Sequence, residues 1–208
     1  MLFESDDDDE EDEDVITIKV ILLGETGVGK TNLKNAVAGE KFQGNSPSTI
    51  TPMFIKKDMI FYDQKYKLKL WDTAGQEKFR ALNKIYYKDS KVVLLIYDIT
   101  NKASFEALEQ YWLEEIKASL GTEPVMGLIG NKSDLGGKRE VDDKIAEKFA
   151  QDNNLKFKSC SGKEDPKGFN LFLRSLVKEY LQKTNKNFGE GVKINKYEGK
   201  EHGSCFIY

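Results

Sequence analysis

At 208 residues, with 39% apolar and 32% charged side chains, the chain is sized for one globular domain with tails and must carry a heavily charged surface. Its longest apolar run, Val92 to Tyr97, is far short of the ~20 residues of a membrane-spanning helix, and Met1-Leu2-Phe3-Glu4 lacks the basic start of a signal peptide. The formal charge of −3 is unevenly spread: residues 4–14 hold ten acidic side chains and no basic one, and without those ten negative charges residues 15–208 carry +7.

In chain order, residues 1–14 form an acidic tail, expected to be disordered. Such a tail either aids solubility by self-repulsion, folds back on the basic body, or recruits a basic partner. Leu2 occupies the place where myristoylation needs glycine. From Thr17 strand-like and helix-like segments alternate. The strand candidates are Thr17–Leu23, Pro52–Tyr62, Tyr66–Trp71, Val92–Tyr97, Val125–Ile129 and Leu155–Lys158. The helical patterns are Lys30–Ala38, Ala103–Leu120, Asp142–Asn153 and Pro166–Lys183. Pro52–Tyr62 and Tyr66–Trp71, joined by Asp63-Gln64-Lys65, read as a hairpin. Phe105, Leu108, Trp112, Leu113, Ile116 and Leu120 recur at helical spacing and give one buried stripe. Asp142 and Asp143 stand where an N-cap and a first-turn acid belong, with Ile145, Ala146 and Phe149 as the inward face. Val92–Tyr97 is apolar on both faces, like a strand covered on both sides.

This alternation predicts an α/β fold of three layers: a six-stranded, mostly parallel sheet with one antiparallel edge strand and helices on both faces. The domain is expected over 15–184, followed by a flexible tail over 185–208. Two cysteines, Cys160 and Cys205, are too few for a disulfide framework and point to a reducing compartment.

Ligands of such sheets bind in loops at the carboxyl ends of strands, which is where the motifs fall. Gly24-Glu25-Thr26-Gly27-Val28-Gly29-Lys30-Thr31, followed by Asn32, matches the phosphate loop G-x-x-x-x-G-K-[ST] between a strand and a helix. Gly27 and Gly29 let successive backbone N–H groups converge on phosphate oxygens, aided by the positive end of the helix. Lys30 brings a point charge to the β- and γ-phosphates, and the Thr31 hydroxyl is a ligand for Mg²⁺. Alone, the loop leaves an ATPase open.

Asn131-Lys132-Ser133-Asp134 narrows the base. The acceptor-only Asp134 carboxylate can take both guanine N–H donors of one edge, which adenine lacks there. Ser161-Gly162-Lys163 is the matching loop, with N–H groups for the guanine carbonyl. Asp72-Thr73-Ala74-Gly75-Gln76 follows a strand end: Asp72 can hold Mg²⁺ through a water, Gly75 can face the γ-phosphate, and Gln76 can orient the attacking water. Helix capping is the alternative role for Asp72. Thr49 is placed to close over metal and γ-phosphate while the third phosphate lasts, and Phe42 to pack on the base.

Together, Gly24–Thr31, Thr49, Asp72–Gln76, Asn131–Asp134 and Ser161–Lys163 resemble the five nucleotide loops of the Ras superfamily of small GTPases, over roughly residues 16–183. Within it, Lys67–Arg80, Tyr86-Tyr87 and Leu95–Thr100 are most similar to Rab proteins. Phe54, Trp71 and Tyr86 match the aromatic trio that Rabs present to effectors; plain core is the competing role. The resemblance implies a monomeric switch binding GTP and GDP with Mg²⁺ and hydrolysing GTP slowly. It also implies an exchange factor, an activating protein and effectors as partners, no nucleic acid, and work in vesicle traffic on the cytosolic face of endomembranes. A nucleotide-binding scaffold with negligible hydrolysis, and a GTPase outside vesicle traffic, are the alternatives.

Three departures matter. The Rab pattern Ile-Gly-x-x-Phe is here Ile50-Thr51-Pro52-Met53-Phe54, and proline removes a backbone donor and restrains Thr51. Thr26 stands where Ras proteins carry glycine. The chain ends Cys205-Phe206-Ile207-Tyr208, a C-a-a-X-like motif with an unusual last residue, in place of paired cysteines. Cys205 is the prenylation candidate. With four lysines against three glutamates in residues 185–208, the polybasic second signal is missing, so one lipid would anchor only marginally.

Overall fold

The computed structural model describes residues 15–44, 48–49, 51–74, 85–121 and 124–184. Both tails, with Cys205, and Gly75 and Gln76 lie outside the described residues. The chain order is β1 (Thr17–Leu23), α1 (Lys30–Ala38), β2 (Met53–Phe61), β3 (Gln64–Asp72), β4 (Val92–Asp98), a long helix, β5 (Val125–Asn131), a 3₁₀ turn (Ser133–Lys138), α4 (Asp143–Asp152), β6 (Lys156–Ser159) and α5 (Pro166–Thr184). The long helix runs as α2 (Lys102–Ala107), a π turn (Leu108–Trp112) and α3 (Leu113–Leu120). Six strands form one sheet in the order β2-β3-β1-β4-β5-β6. Only β2 against β3 is antiparallel, and the other pairs are parallel, as the alternation predicted.

Each face of the sheet buries its own core. On one, Leu33 and Val37 of α1 and Phe169, Leu173, Leu176 and Val177 of α5 cover Val20, Leu22, Leu68, Leu70 and Leu94. On the other, Phe105, Leu108, Trp112 and Ile116 of the long helix and Ala146 and Phe149 of α4 cover Ile21, Val93, Leu95 and Tyr97. Burying one such aliphatic or phenyl side chain stabilises by roughly 1.5–3 kcal/mol. Because β4 lies between both layers, every residue from Val92 to Asp98 is buried.

Two local expectations are corrected. The hairpin turns on two residues, Tyr62 and Asp63, with φ of 52° and 60°, and Gln64 and Lys65 already belong to β3. Both residues sit in the left-handed region, the geometry that matches strand twist; a tyrosine there gives no sequence signal. Ile145 is exposed, and the inward face of α4 is Ala146, Phe149 and Ala150. At ~100° per residue that stripe centres near a direction a quarter-turn from Ile145. The N-cap is Asp142, as expected, its carboxylate accepting from the Lys144 N–H at 2.8 Å.

Candidate functional site

The carboxyl ends of β1, β3, β5 and β6 open into one cleft of about 480 Å³. Its floor is the phosphate loop. At Gly24 (φ 141°) a Cβ would stand 2.1 Å from the Ile96 carbonyl oxygen, and at Gly29 (φ 98°) 2.3 Å from Asn131 Nδ2, so neither position admits a side chain. Gly29 is also the N-cap of α1 and supplies no side-chain cap, which leaves the first helical N–H groups facing the cleft, an anion-binding arrangement.

Lys30 is buried, and its ammonium donates to the carbonyls of Gly24 at 2.8 Å and Glu25 at 2.9 Å. Burial pulls its pKa down to about 8, against the opposing pull of Asp72 and Glu25. Beside it the Thr31 hydroxyl donates to Asp72 Oδ2 at 2.7 Å and lies 3.1 Å from the Thr49 hydroxyl, which itself reaches Asp72 Oδ2 at 3.4 Å. Burial raises the Asp72 pKa, opposed by the Thr31 bond and Lys30. Asp72 Oδ1 is buried with no hydrogen-bond partner among the described residues. Two hydroxyls and a carboxylate with an unsatisfied oxygen make a hard, oxygen-only donor set, which fits Mg²⁺ arriving with phosphates. The three residues expected to meet there from distant parts of the sequence do meet.

The opposite end is cross-braced. Asn131 donates from Nδ2 to the Val28 carbonyl at 2.7 Å and accepts at Oδ1 from the Gly162 N–H at 3.1 Å, so one buried side chain ties the phosphate loop to the Ser161–Lys163 loop. Ser161 Oγ donates to Asp134 Oδ1 at 2.6 Å and accepts from the N–H groups of Lys163 and Glu164. Lys132, with φ of 66°, pairs with Asp98 at 2.7 Å.

Of the other expected residues, Thr26, Gly27, Asn32, Lys163 and the exposed Phe42 line the cleft, Phe42 on its wall. Asn32 grips the neighbouring segment in both directions, donating to the Gln43 carbonyl at 3.1 Å and accepting from the Gln43 N–H at 3.0 Å. Two residues depart from the direct contact anticipated for them. The Val28 side chain belongs to the core, and the Glu25 carboxylate turns outward to accept from Trp112 Nε1 at 2.9 Å; only their backbones face the loop. Sequence reasoning missed Gln43, Gly44, Ser48, Thr73 and Leu135 on the cleft lining and Asp98 behind Lys132. Asp98 ends the buried strand β4, a position where a carboxylate among apolar residues signals a purpose.

Outside the cleft Phe54, Trp71 and Tyr86 stack in series, with ring centres 4.8 Å and 5.3 Å apart. Trp71 and Tyr86 rest partly on the second core while Phe54 is exposed, so the trio is both core edge and surface. Cys160 is buried in the first core, which pushes its thiol up to about 12 and leaves it unreactive.

The family model described as the Ras family matches residues 19–182. The chain is similar to Ras-related protein Rab-21 of Geodia cydonium, 35% identical over 80% of this chain and 72% of that one. It is similar to human Ras-related protein Rab-25, 34% identical over 85% and 82%, and to Ras-related protein RABA4d of Arabidopsis thaliana, 38% identical over 78% and 72%.

Proposed function

The chain belongs to the Ras family as a Rab-type small GTPase, and from that premise we propose that its cleft binds Mg²⁺–GTP across the two ends described above and hydrolyses it to GDP and phosphate as a switch. The observation that carries the assignment is the joint placement of Lys30 with Thr31, Thr49 and Asp72 at one end and Asp134 with Asn131 and Ser161 at the other end of a single cleft.

In this reading the uncapped N-terminus of α1 and the loop N–H groups hold the β-phosphate, and Lys30 exchanges its two carbonyl acceptors for β- and γ-phosphate oxygens. Thr31, Thr49 and Asp72 are the residues that would hold Mg²⁺, Asp72 through a water. When bound, the ion neutralises charge that develops on the phosphate oxygens. Gln76 orients the water that attacks the γ-phosphorus, the bond to the β-phosphate oxygen breaks, and GDP leaves carrying that oxygen. Thr49 and Gly75 then lose the phosphate that held them, which is the switch. Among the described residues no arginine lines the cleft, so an activating protein supplies one or compensates, an aid of roughly 10³–10⁵ in rate for this class.

Asp134 and the Ser161–Lys163 loop choose guanine, and Phe42 packs on it. Phe54, Trp71 and Tyr86, with the switch segments, meet exchange factors and effectors. The organisation is a G domain over 15–184 between an acidic tail and a C-terminal tail. Cys205 carries a prenyl group, and the monomer works in vesicle traffic on the cytosolic face of endomembranes. Phosphate release from purified protein given GTP, with ATP as competitor at equal concentration, tests the core of this reading. Selective GTP turnover is expected; binding without turnover would leave a scaffold. The intact mass of the protein from its own cells tests the prenyl group.

A further inference from the structure

The face of β1, β3 and β2 turned away from α1 and α5 carries an unusual row. The register sets Lys19 beside Lys69, and Lys69 opposite Lys56, so three lysines cross three adjacent strands side by side. One step towards the start of β1, Thr17 lies beside Lys67 and Lys67 opposite Asp58, whose carboxylate pairs with Lys65 at 2.9 Å. Asp89 acts on Lys19 from the loop before β4. Among the described residues, five lysines thus share this face with Asp58 and Asp89. Like charges in directly opposed strand positions are destabilising, so the row is not explained by the sheet's own stability.

The same row borders the aromatic surface. One step in the other direction along β3, Trp71 stands opposite Phe54. The Lys19 ammonium lies 5.2 Å from the Trp71 ring centre and the Lys69 ammonium 5.9 Å from that of Phe54. Whatever settles on the lysines therefore also reaches these two rings.

The chain enters the sheet beside this row, through the interior strand β1. The Ile16 carbonyl accepts from the Lys67 N–H at 3.0 Å, so the acidic segment that ends at Asp14 is attached two residues before Ile16, beside the lysines. At ~3.4 Å per extended residue the first 14 residues could span roughly 48 Å, whereas β1 to β2 is two strand spacings of ~4.8 Å. Reach is no obstacle, and tethering gives the segment an effective concentration of order millimolar.

We propose that residues 4–14 lie across the Lys19–Lys69–Lys56 row as an intramolecular electrostatic cover that screens Trp71 and Phe54 from partners. Each ion pair on such an exposed face is weak, so the cover depends on ten acids acting together through a tether. It is displaced by salt, or by a partner that binds the aromatic surface more strongly. It concerns the surface beside the nucleotide cleft and stands whether or not the cleft turns over GTP.

The test compares the full chain with a full-length variant in which the ten acids of residues 4–14 become Asn and Gln. Carbodiimide coupling, which joins a carboxylate to a touching lysine as an amide, is followed by peptide mass spectrometry. In about 20 mM salt, tail cross-links to Lys19, Lys56, Lys67 and Lys69 are expected at about fivefold the yield of those to Lys178 and Lys183 on α5, falling severalfold at about 0.5 M salt, where the Debye length is only about 4 Å. Acrylamide quenching supplies the second reading, because Trp71 and Trp112 are the only tryptophans and Trp112 is fully buried. The amide variant should be quenched about twofold more than the native chain at low salt and equally at high salt. Cross-links spread over all lysines, or equal quenching of the two chains at low salt, would overturn the proposal. A tail that recruits a basic partner instead gives that outcome.

Discussion

The two ends of the cleft are built differently. At the base end, Ser161 donates to Asp134 at 2.6 Å, and both polar atoms of the buried Asn131 amide are used, one on the Val28 carbonyl and one on the Gly162 N–H. At the phosphate end, a buried lysine is folded onto its own loop and a buried carboxylate keeps one oxygen without a partner. A buried amide with both atoms used and a carboxylate braced by a serine make a rigid template that recognises a shape. A partly satisfied buried charge pair is a site whose energy improves when an anion and a cation arrive together. Recognition is thus lodged in the finished half, and the capacity to switch in the unfinished one, where Thr49 reaches the carboxylate only across 3.4 Å.

The sharpest way to break this contrast is at the base end. Asp134→Asn turns an acceptor-only group into one that also donates, and should move preference from guanine to xanthine nucleotides by roughly 10⁴-fold, the scale on which mispaired polar sites discriminate. Competition binding against a labelled nucleotide measures it; an unchanged preference would detach Asp134 from the base. Next in size, Asn131→Ala strips the buried Val28 carbonyl of a donor and the part-buried Gly162 N–H of an acceptor. Stranding two such groups costs about 3 kcal/mol, to be read as a lower unfolding midpoint in denaturant.

Much of this contrast was legible in the sequence, and the reason is local. The bounds of β1 and α1 match expectation to the residue because Gly24–Thr31 combines a strand end, forced turns and a helix start within eight positions. The double-sided burial of β4 follows from an unbroken apolar run. What stayed hidden needs three-dimensional information. Glu25 and Trp112 are 87 residues apart, and the π turn at Leu108–Trp112 replaces a helix that periodicity read as uniform. Lys132, just after β5, pairs with Asp98 at the end of the neighbouring strand β4, and the lysine row exists only once the register of β1, β3 and β2 is known.

The phosphate end has its own signature in pH. The free protein holds Lys30 at about 8 by burial, and a bound polyphosphate, being anionic, raises that value. The protonated lysine is the form that binds, so affinity is full below pH 8 and is lost as pH rises through it. The slope approaches tenfold per pH unit until the bound-state pKa is reached. Titrating GDP affinity between pH 7 and 9 measures the slope; a flat profile would mean that Lys30 contributes no titratable charge to binding.

The smallest effect probes the outer support of the phosphate loop. Glu25 has two duties: its carbonyl takes the Lys30 ammonium, and its carboxylate takes the indole N–H of Trp112 from the π turn. Trp112→Phe removes that donor while keeping most of the buried ring, and the half-buried Glu25 carboxylate can turn to water. The loss is therefore limited to about 1 kcal/mol of net hydrogen bonding. If the bond also steadies the loop, GDP dissociation should quicken about fivefold, the kinetic equivalent of that energy. A variant that lowers the unfolding midpoint without changing GDP release would confine the bond to holding the helix, leaving the phosphate loop to the support of Asn131 and Lys30.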